Sequence, residues 1–506
     1  MEPKKKIGFA GTDGRTFLSA FTVSTAISEY HKKDYLGVVI RGTSSMPEFA
    51  KRMNWPIEFI PTKDNTVDSY AQAIVSGIEQ DKLDFVIPLP EALLFDGLVD
   101  LLISKGFGDK ITGLTKEFAF LEGDKARCKE VCKQAGIPVA DKWKIVDAKS
   151  YKDVLDTCLE YIHQFGGAVL KYPYSAGGKG ARIILNTWEI NEVYSTLMND
   201  YKKSYKALFK NKPWPLLIES RMSGVEISFT ILVDKKGNHV ILPTAMDYPE
   251  RFEGTADKKN PITGGMGAIS PHPFETPELI SLVEDTIANP IIKYLKENGG
   301  LRPCVLYPGC FVSFKLSPTG ELIPTKIRVC EINIRPGEPE FQAVVKRIRN
   351  LGHIIEGMFT GELDQIKPEV RQDQICLCMA LVTGPGGPDG QKGYPWSVTK
   401  FEPLEIDIDY FKKKGIQLIP SGMGYSEEKG FFSDGTRIIY MVCNGQVKEN
   451  LSPAQIAERL RNKLINAYEM GKVRVIPRED PKGNRLDLRK DIGIHYTIAE
   501  RLGLQK

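Results

Sequence analysis

The segment from Glu331 to Arg335 carries a carboxylate, an amide and a guanidinium at alternate positions, with isoleucines between them. Side chains alternate between the two faces of a strand, so this spacing predicts that Glu331, Asn333 and Arg335 share one face. Carboxylate and amide oxygens are ligands that Mg²⁺ prefers, and a fixed cation stabilises charge on a transferring phosphoryl group. The alternative is a solvated strand face with a Glu–Arg ion pair.

A glycine-rich loop supplies a second set of groups suited to phosphate. Residues 176–180 read AGGKG between two predicted strands, and Lys171 lies on the first of these strands. The backbone N–H groups of Gly177 and Gly178 can approach phosphate oxygens, and Lys179 adds a positive charge. The loop does not open a helix, which excludes a Walker A loop and a dinucleotide fingerprint. The alternative is an ordinary hairpin turn with solvated lysines.

Two further segments suit a nucleotide or a substrate. Glu219 closes one predicted strand and Glu226 begins the next, so an adenine could lie along the first while Glu226 accepts hydrogen bonds from ribose hydroxyls. Glu226 could equally be an edge-strand charge. Thr263, Gly264 and Gly265 form a small-residue loop that is open to phosphate, or else a surface loop.

In about the first hundred residues, strand patterns alternate with helix patterns, and these elements must position several of the groups. This alternation predicts an open parallel sheet with right-handed crossovers, in which ligands bind at the carboxyl ends of the strands. Gly14 and Arg15 follow the first strand and Glu91 follows a later one, so we expect all three on the same rim.

Composition narrows the class of protein. A chain of 506 residues is too long for one core. The 68 basic and 64 acidic residues nearly balance, which gives no support for a nucleic-acid or membrane partner. No apolar run reaches the length of a membrane span. The nine cysteines are odd in number and scattered, which predicts reduced thiols in a cytoplasmic protein.

Taken in order, the motifs resemble those of the ATP-grasp ligases, and within them the phosphoribosylamine–glycine ligase family. The resemblance covers most of the chain. It rests on the segments KYPYSAGGKGARI, LLIESRMSGVEISFTILVD, NPITGGMGAISPHP, CEINIRPGEPEFQ and RKDIGIHYTI.

The resemblance implies an α/β protein with three domains. Residues 1–112 would form an N-terminal Rossmann-like substrate domain with an open parallel sheet. Residues 113–365 would form the ATP-grasp domain, with a lid subdomain at about 124–220. Residues 366–506 would form a C-terminal mixed α+β domain.

The resemblance also implies how ATP is bound. Glu331 and Asn333 would hold Mg²⁺, with Mn²⁺ as an alternative, on the phosphates. Glu219 and Glu226 would border the adenosine. The residues that would contact the phosphates are Lys125, Lys171, Gly177, Gly178 and Lys179.

The implied reaction joins a carboxylate to an amine through an acyl phosphate. Arg335 would stabilise the charge of that step, and Asp247 would meet the amino group of glycine. The substrates would be glycine or another carboxylate, and phosphoribosylamine or another amine, bound by a monomer or homodimer. The residues implied to lie at these substrates are Gly14, Arg15, Glu91, Thr263, Gly264 and Gly265.

Several departures from the family pattern leave alternatives open. Asp13 would bring a negative charge near the expected phosphate, and the loop from Gly42 to Ser45 differs from the family's phosphate loop. Pro336 and Glu338 replace Phe and Asp after the arginine. The alternatives are therefore a paralogue that joins another amine or carboxylate, and a non-catalytic nucleotide-binding relative. The segment 199–215 and the extended C-terminal region have no assigned role.

Overall fold

The computed structural model describes residues 4–25, 34–174, 181–204, 214–254, 260–384, 393–396, 400–447, 451–476 and 486–501. The glycine-rich loop with Gly177, Gly178 and Lys179 lies outside the described residues, as does most of the segment 199–215.

The N-terminal part is a four-stranded sheet in the order β3-β2-β1-β4, with every pair parallel. This confirms the parallel sheet that the alternating pattern predicts. The carboxyl ends of all four strands therefore meet at one edge. Its strands are β1 (Lys5–Gly11), β2 (Tyr35–Arg41), β3 (Glu58–Ile60) and β4 (Phe85–Pro88), and its helices are α1 (Gly14–Thr25), α2 (Ser45–Met53), α3 (Val67–Glu79), α4 (Glu91–Phe95) and α5 (Leu98–Ser104).

The chain then forms two helices where the sequence pattern suggests one from about Lys116 to Gln134. They are α6 (Phe120–Gly123) and α7 (Lys125–Gln134). The break falls at Asp124, whose backbone is extended and whose side chain accepts hydrogen bonds from the N–H groups of Ala126 and Arg127. Asp124 thus caps a new helix, and Lys125 is the first residue of it.

A four-stranded antiparallel sheet follows, in the order β5-β8-β6-β7. Two helices cover it, and its apolar residues form a small core of their own around Trp214. The strands are β5 (Trp143–Asp147), β6 (Ala168–Lys171), β7 (Ala181–Ile184) and β8 (Pro215–Ser220), and the helices are α8 (Tyr151–Phe165) and α9 (Ile190–Ser204).

The segment with the Glu331 motif contains the predicted strand, which is one arm of a long antiparallel hairpin. The hairpin and its neighbours form a five-stranded sheet in the order β11-β10-β14-β15, with β9 also on β14. The strands of this part are β9 (Val225–Ser228), β10 (Ile231–Val233), β11 (His239–Ile241), β12 (Met246–Asp247), β13 (Gly267–Ser270), β14 (Cys304–Leu316) and β15 (Leu322–Asn333), and the helices are α10 (Pro277–Val283) and α11 (Asn289–Glu297), joined by a π turn (Glu284–Ala288).

The C-terminal part adds α12 (Glu340–Val345) and α13 (Leu351–Thr360) and two further sheets. A six-stranded sheet runs β12-β13-β16-β21-β18 with β23 on β16, and a four-stranded sheet runs β19-β20-β17-β22. Their elements are β16 (Gln374–Thr383), β17 (Lys400–Ile406), α14 (Ile408–Lys414), β18 (Gln417–Pro420), β19 (Met423–Ser426), β20 (Gly430–Asp434), β21 (Arg437–Gln446), α15 (Pro453–Glu469), β22 (Val473–Val475), β23 (Leu486–Asp487) and α16 (Ile494–Arg501). The domain boundaries given above stay a prediction.

Candidate active site

Glu331 and Asn333 lie together near the end of β15, at the start of α7. Oε2 of Glu331 is 3.1 Å from Nζ of Lys125. The Asn333 amide donates to Oε1 of Glu331 and to the carbonyl of Tyr307, both at 3.3 Å, so its Oδ1 remains as the atom that can bind a cation. The charge of Lys125 lowers the pKa of Glu331 to about 2, with burial opposing the shift. Glu331 is therefore ionised, yet 42% of its side chain is exposed and open to a ligand.

These two oxygen donors fit a divalent metal that also binds a polyphosphate. Among the described residues, no group of three or more His, Cys, Asp or Glu side chains could hold a metal ion by itself. An ion at Glu331 and Asn333 would therefore complete its coordination with oxygens of the nucleotide or water.

Glu219 lies between two lysines rather than at an open edge. Its Oε1 is 2.9 Å from Nζ of Lys129 and its Oε2 is 2.8 Å from Nζ of Lys171, and all three side chains are buried. Burial alone would raise the pKa of Glu219, but the two lysines outweigh it and hold the pKa below the usual value. Lys171 also lies 3.2 Å from Sγ of Cys330, next to Glu331. The carboxylate thus orients the lysines, and a role for Glu219 at adenosine stays a prediction.

Lys129 is a site residue that the sequence reasoning missed. It follows Lys125 by one helical turn on α7, so both side chains lie on the same face of the helix. That spacing is the signal that could have identified it.

Arg335 lies beyond the strand, because β15 ends at Asn333. The prediction that Arg335 shares a strand face with Glu331 and Asn333 is therefore wrong. Its guanidinium lies 3.1 Å from Oε1 of Glu122 and 3.1 Å from Oε2 of Glu91. Glu122, which the sequence analysis did not single out, also accepts the N–H of Ile334 at 3.0 Å. Arg335 thus links the hairpin to the carboxyl edge of the N-terminal sheet.

Arg15 is buried at the same edge, and its charge is neutralised. It lies 2.7 Å from Asp13 and 3.8 Å from Glu338, and it donates to the carbonyl of Pro336. Burial tends to raise the pKa of Asp13, but Arg15 holds it below its ordinary value. Gly14 is buried against Tyr440. Asp13 is therefore paired within the protein instead of facing a bound phosphate.

The carboxylates of Asp247, Glu226 and Glu340 lie close enough for their charges to interact, and Glu226 also interacts with Glu331. The pKa of Asp247 is raised well above its ordinary value, first by burial and then by the charges of Glu340 and Glu226. The surrounding protein withdraws water from the Glu226 carboxylate, and this and the charge of Glu331 raise its pKa to about 7, while part of the side chain still reaches solvent. Oδ1 of Asp247 is buried and has no hydrogen-bond partner among the described residues. None of the three carboxylates forms an ion pair with a described residue, although Lys171 and Arg437 act on them from farther away, so a bound cation would stabilise the cluster.

The loop with Thr263 and Gly264 passes directly against Asp247. A Cβ on Gly265, whose φ is +102°, would lie 3.1 Å from Oδ1 of Asp247 and 2.4 Å from the Pro339 ring. Only glycine fits this position. Thr263 holds the turn by donating to the carbonyl of Pro249 at 2.8 Å and accepting the N–H of Gly265 at 3.1 Å.

The C-terminal part closes on this loop through residues that the sequence did not reveal. Arg437 on β21 donates to the carbonyl of Gly264 and lies 3.3 Å from Oε2 of Glu338. The hydroxyl of Tyr440 donates to Oε1 of Glu338 at 2.9 Å. Glu338 therefore contacts cationic or donor groups from both the N-terminal and the C-terminal part of the chain.

The C-terminal motif RKDIGIH holds the strand that carries Asp247. The hydroxyl of Tyr248 accepts the N–H of Gly493 at 2.8 Å and lies 2.9 Å from Nδ1 of His495. The guanidinium of Arg489 lies 5.1 Å from the centre of the Tyr248 ring. The motif thus fixes the residue that follows Asp247.

Comparisons with known proteins identify the family to which the chain is similar. Residues 123–341 match the family model of the phosphoribosylglycinamide synthetase ATP-grasp (A) domain. The chain is 30% identical over 322 residues to a phosphoribosylamine–glycine ligase of Caldanaerobacter subterraneus, covering 63% of this chain and 68% of the relative. It is 29% identical to the ligase of Pyrococcus furiosus, covering 86% and 85%. A chloroplastic ligase of Arabidopsis thaliana is 28% identical, and the match spans 74% of this chain and 64% of that relative.

A solved structure shows the same fold. The crystal structure of a phosphoribosylamine–glycine ligase from Thermotoga maritima superposes with a TM-score of 0.67 at 20% identity, covering 96% of this chain and all of that chain.

The fold and the family match define an ATP-grasp protein, in which the predicted α/β fold class is confirmed. The chain belongs to the phosphoribosylamine–glycine ligase family, whose members are ligases that form C–N bonds. Within the described part of the chain, no helix is long and apolar enough to cross a membrane.

Proposed function

We propose that this chain joins glycine to phosphoribosylamine at the expense of ATP, and forms glycinamide ribonucleotide, ADP and phosphate. The observation that carries the proposal is the carboxylate cluster of Asp247, Glu226 and Glu340 beside Glu331. A carboxylate cluster that forms no ion pair with a described residue, next to a nucleotide site, suits a substrate that offers an ammonium group together with a carboxylate to be activated. Glycine is the smallest such substrate, and relatives of this chain are named for it.

The reaction has two steps. A carboxylate oxygen of glycine attacks the γ-phosphorus of ATP, which forms glycyl phosphate and breaks the bond to ADP. The amine of phosphoribosylamine then attacks the acyl carbon, inorganic phosphate leaves, and the amine proton is lost to solvent. The protein contributes by positioning the reactants and by stabilising their charge.

The nucleotide half of the site is assigned to the lysines and to the donors on β15. Glu331 and Asn333 would hold Mg²⁺, which shields the phosphate charge when it is bound. Lys125 and Lys171 lie beside them and would contact phosphate oxygens, together with Gly177, Gly178 and Lys179. Glu226 is the better candidate for the ribose hydroxyls, because Glu219 is enclosed by lysines.

Arg335 would stabilise charge as phosphate leaves the acyl carbon. Its position supports this role, because it lies where the hairpin meets Glu91 on the edge of the N-terminal sheet. Phosphoribosylamine would approach from that edge, between Glu91 and Arg15. Asp247 would receive the glycine amino group below the loop from Thr263 to Gly265.

A second candidate is a paralogue that joins a different amine. Arg15, Asp13 and Glu338 form a closed ion-pair group at the edge where phosphoribosylamine would bind. In this group, Asp13 and Glu338 pair with the Arg15 guanidinium, which could otherwise bind a substrate.

The main proposal has three further parts. The protein would act in the cytoplasm, it would belong to purine biosynthesis, and it would be a monomer or a homodimer.

The test is ADP release by the purified protein with Mg-ATP, glycine and freshly prepared phosphoribosylamine. We expect turnover that requires all three substrates and yields glycinamide ribonucleotide. Turnover only with another amine or carboxylate from a substrate panel would favour the paralogue. Binding of Mg-ATP without turnover on any pair would leave a non-catalytic relative.

A further inference from the structure

A cavity of about 800 Å³ lies outside the proposed active site. It is lined by residues around the start of α13 and by the segment 365–373, which leads to β16. None of these residues is assigned to ATP, to the metal or to a substrate. Proteins bind small organic ligands in cavities of about 300–1,000 Å³, so this cavity has room for a molecule much larger than a simple ion.

The backbone holds two arginines that line this cavity on the same side. Ile348 and Val370 pair as an antiparallel bridge. The N–H groups of Arg349 and Arg371 donate to carbonyls across this bridge at 2.9 and 2.8 Å. Side chains alternate along paired backbone, so Arg349 and Arg371 both lie on the side opposite to the buried Ile348. The fold therefore brings two guanidinium groups into one small region.

The two arginines are close enough to repel each other. Burial and the charge of Arg349 lower the pKa of Arg371, and the charge of Asp373 opposes them only in part. Burial and the charge of Arg371 also lower the pKa of Lys346. None of these three cations forms an ion pair with a described residue. A bound anion would therefore stabilise all of them.

The carboxylates of the cavity do not neutralise this charge. Asp373 accepts a hydrogen bond from the Gln446 amide at 2.7 Å, which holds it against the end of β21. Glu369 also lines the cavity, but neither carboxylate forms an ion pair with the two arginines. Lys367 adds a further cation to the lining. The cavity therefore keeps an excess of positive charge.

The nitrogen atoms that would meet an anion are accessible. Arg349 is exposed, and Arg371 is partly exposed. In Arg371, Nε is buried, whereas the terminal nitrogens are neither buried nor hydrogen-bonded within the described chain. A guanidinium presents its N–H groups as a fork that matches two oxygens of a phosphate. Two such groups can therefore hold one phosphate from two sides.

We propose that this cavity binds a small organic phosphate whose phosphate group lies between Arg349 and Arg371. A phosphate monoester carries a charge of about −1.5 to −2 at pH 7, which suits the excess of positive charge. The organic part would lie against Ile366 and Pro368, which line the cavity. A concave site of this size favours a small molecule over a polyanionic macromolecule. The site does not depend on the proposed ligation, because no group assigned to that reaction lines it.

The experiment measures the modification of single arginines by phenylglyoxal in the full-length protein, with peptide mass spectrometry as the readout. The probes are adenosine 5′-monophosphate (AMP) and ribose 5-phosphate, compared with adenosine and inorganic phosphate. At about ten times its Kd, an organic phosphate should slow the modification of Arg349 and Arg371 by roughly tenfold, because about a tenth of the protein stays free. Arg474, an exposed arginine paired with Glu405, is the internal control and should react at an unchanged rate. Because the readout is local, binding of AMP at the ATP site does not disturb it.

Variants separate the contact with phosphate from the fold. Arg371→Ala should raise the Kd of the probe, measured by protection of Arg349, by roughly 10- to 100-fold, as expected for loss of hydrogen bonds between charged groups. Arg371→Lys keeps the charge and should recover part of the affinity. Arg474→Ala is the matched control and should leave the Kd unchanged. Thermal unfolding should show at most a small loss of stability in Arg371→Ala, because the substitution removes a cation that its neighbours repel.

Protection by AMP would support a nucleotide as the ligand, and protection by ribose 5-phosphate alone would support a sugar phosphate. No protection by either probe would overturn the proposal. Protection by adenosine, or equal protection by inorganic phosphate at the same concentration, would also overturn it, because the site would then not recognise an organic phosphate. A wild-type Kd in Arg371→Ala would exclude the placement of the phosphate group.

Discussion

Nζ of Lys125 lies 3.1 Å from Oε2 of Glu331, although 206 positions separate the two residues in the chain. The contact exists because Asp124 ends one helix and caps the next, so that Lys125 begins α7 opposite the end of β15. The contact joins Glu331, the acidic member of the proposed metal pair, to Lys125, a cation that would bind the phosphates of ATP. The charge of Lys125 keeps Glu331 ionised, with a pKa of about 2.

Glu331→Gln should lower the rate of ADP release by roughly a hundredfold or more, because it removes the charged donor from the metal pair. The fold should persist, since Glu331 is 42% exposed. Thermal unfolding and ADP release are measured side by side. Glu321→Gln, at the exposed tip of the same hairpin, serves as the control and should behave as the wild type. An active Glu331→Gln enzyme would contradict the metal assignment.

Glu226 should make the stability of the free protein depend on pH near neutrality. Its folded-state pKa is raised from 4.5 to about 7, so the folded protein binds this proton more tightly than the unfolded chain. The favourable contribution is complete below about pH 4.5 and is lost as the pH rises through 7. Glu226→Gln should therefore unfold at a higher temperature than the wild type at about pH 8, with a smaller difference at about pH 5. An equal difference at both pH values would refute the raised pKa.

Glu219→Gln should lower the free energy of unfolding by about 3–5 kcal/mol, because it leaves Lys129 and Lys171 buried without their counter-charge. Denaturant unfolding provides the measurement. Glu405→Gln removes an ion pair of similar length, 2.6 Å to Arg474, but both side chains are more than half exposed. The control should change the free energy by less than about 1 kcal/mol. Equal losses in the two variants would show that burial of the lysine pair is unimportant.

Tyr248→Phe should raise the KM for glycine, because the hydroxyl that fixes the residue after Asp247 is lost. The N–H of Gly493 would also lose its acceptor, at a cost of about 1–3 kcal/mol in unfolding free energy. Tyr151→Phe, at a half-exposed tyrosine on α8, is the control for removal of a hydroxyl. If Tyr248→Phe has the wild-type KM for glycine, the RKDIGIH motif does not influence glycine binding.

Local patterns predict the fold well where contacts are regular. Strand–helix alternation predicts the parallel sheet, and the alternation around Glu331 predicts the strand that carries it. The strand nevertheless ends at Asn333, because the N–H of Ile334 donates to Glu122 instead of to a neighbouring strand. Pro336 has no N–H with which the ladder could continue. Asp124 divides a helix that apolar spacing alone shows as continuous.

The site could be predicted only where a motif marks it. Glu331, Asn333, Lys125 and Lys171 lie together as expected. Glu122 and Arg437 have no local signal, because their contacts with Arg335 and Glu338 span long stretches of chain and depend on how three parts pack. Among the residues whose role stays untested, Gly177, Gly178 and Lys179 lie outside the described residues.

The measurement that tests the central claim most directly follows the oxygen atoms of glycine. Glycine labelled with ¹⁸O in its carboxylate is incubated with the protein, Mg-ATP and phosphoribosylamine, and the released phosphate is analysed by mass spectrometry. If glycine attacks the γ-phosphorus, each phosphate carries one ¹⁸O and one glycinamide ribonucleotide forms per ADP. Unlabelled phosphate, or ADP release without glycinamide ribonucleotide, would contradict the account.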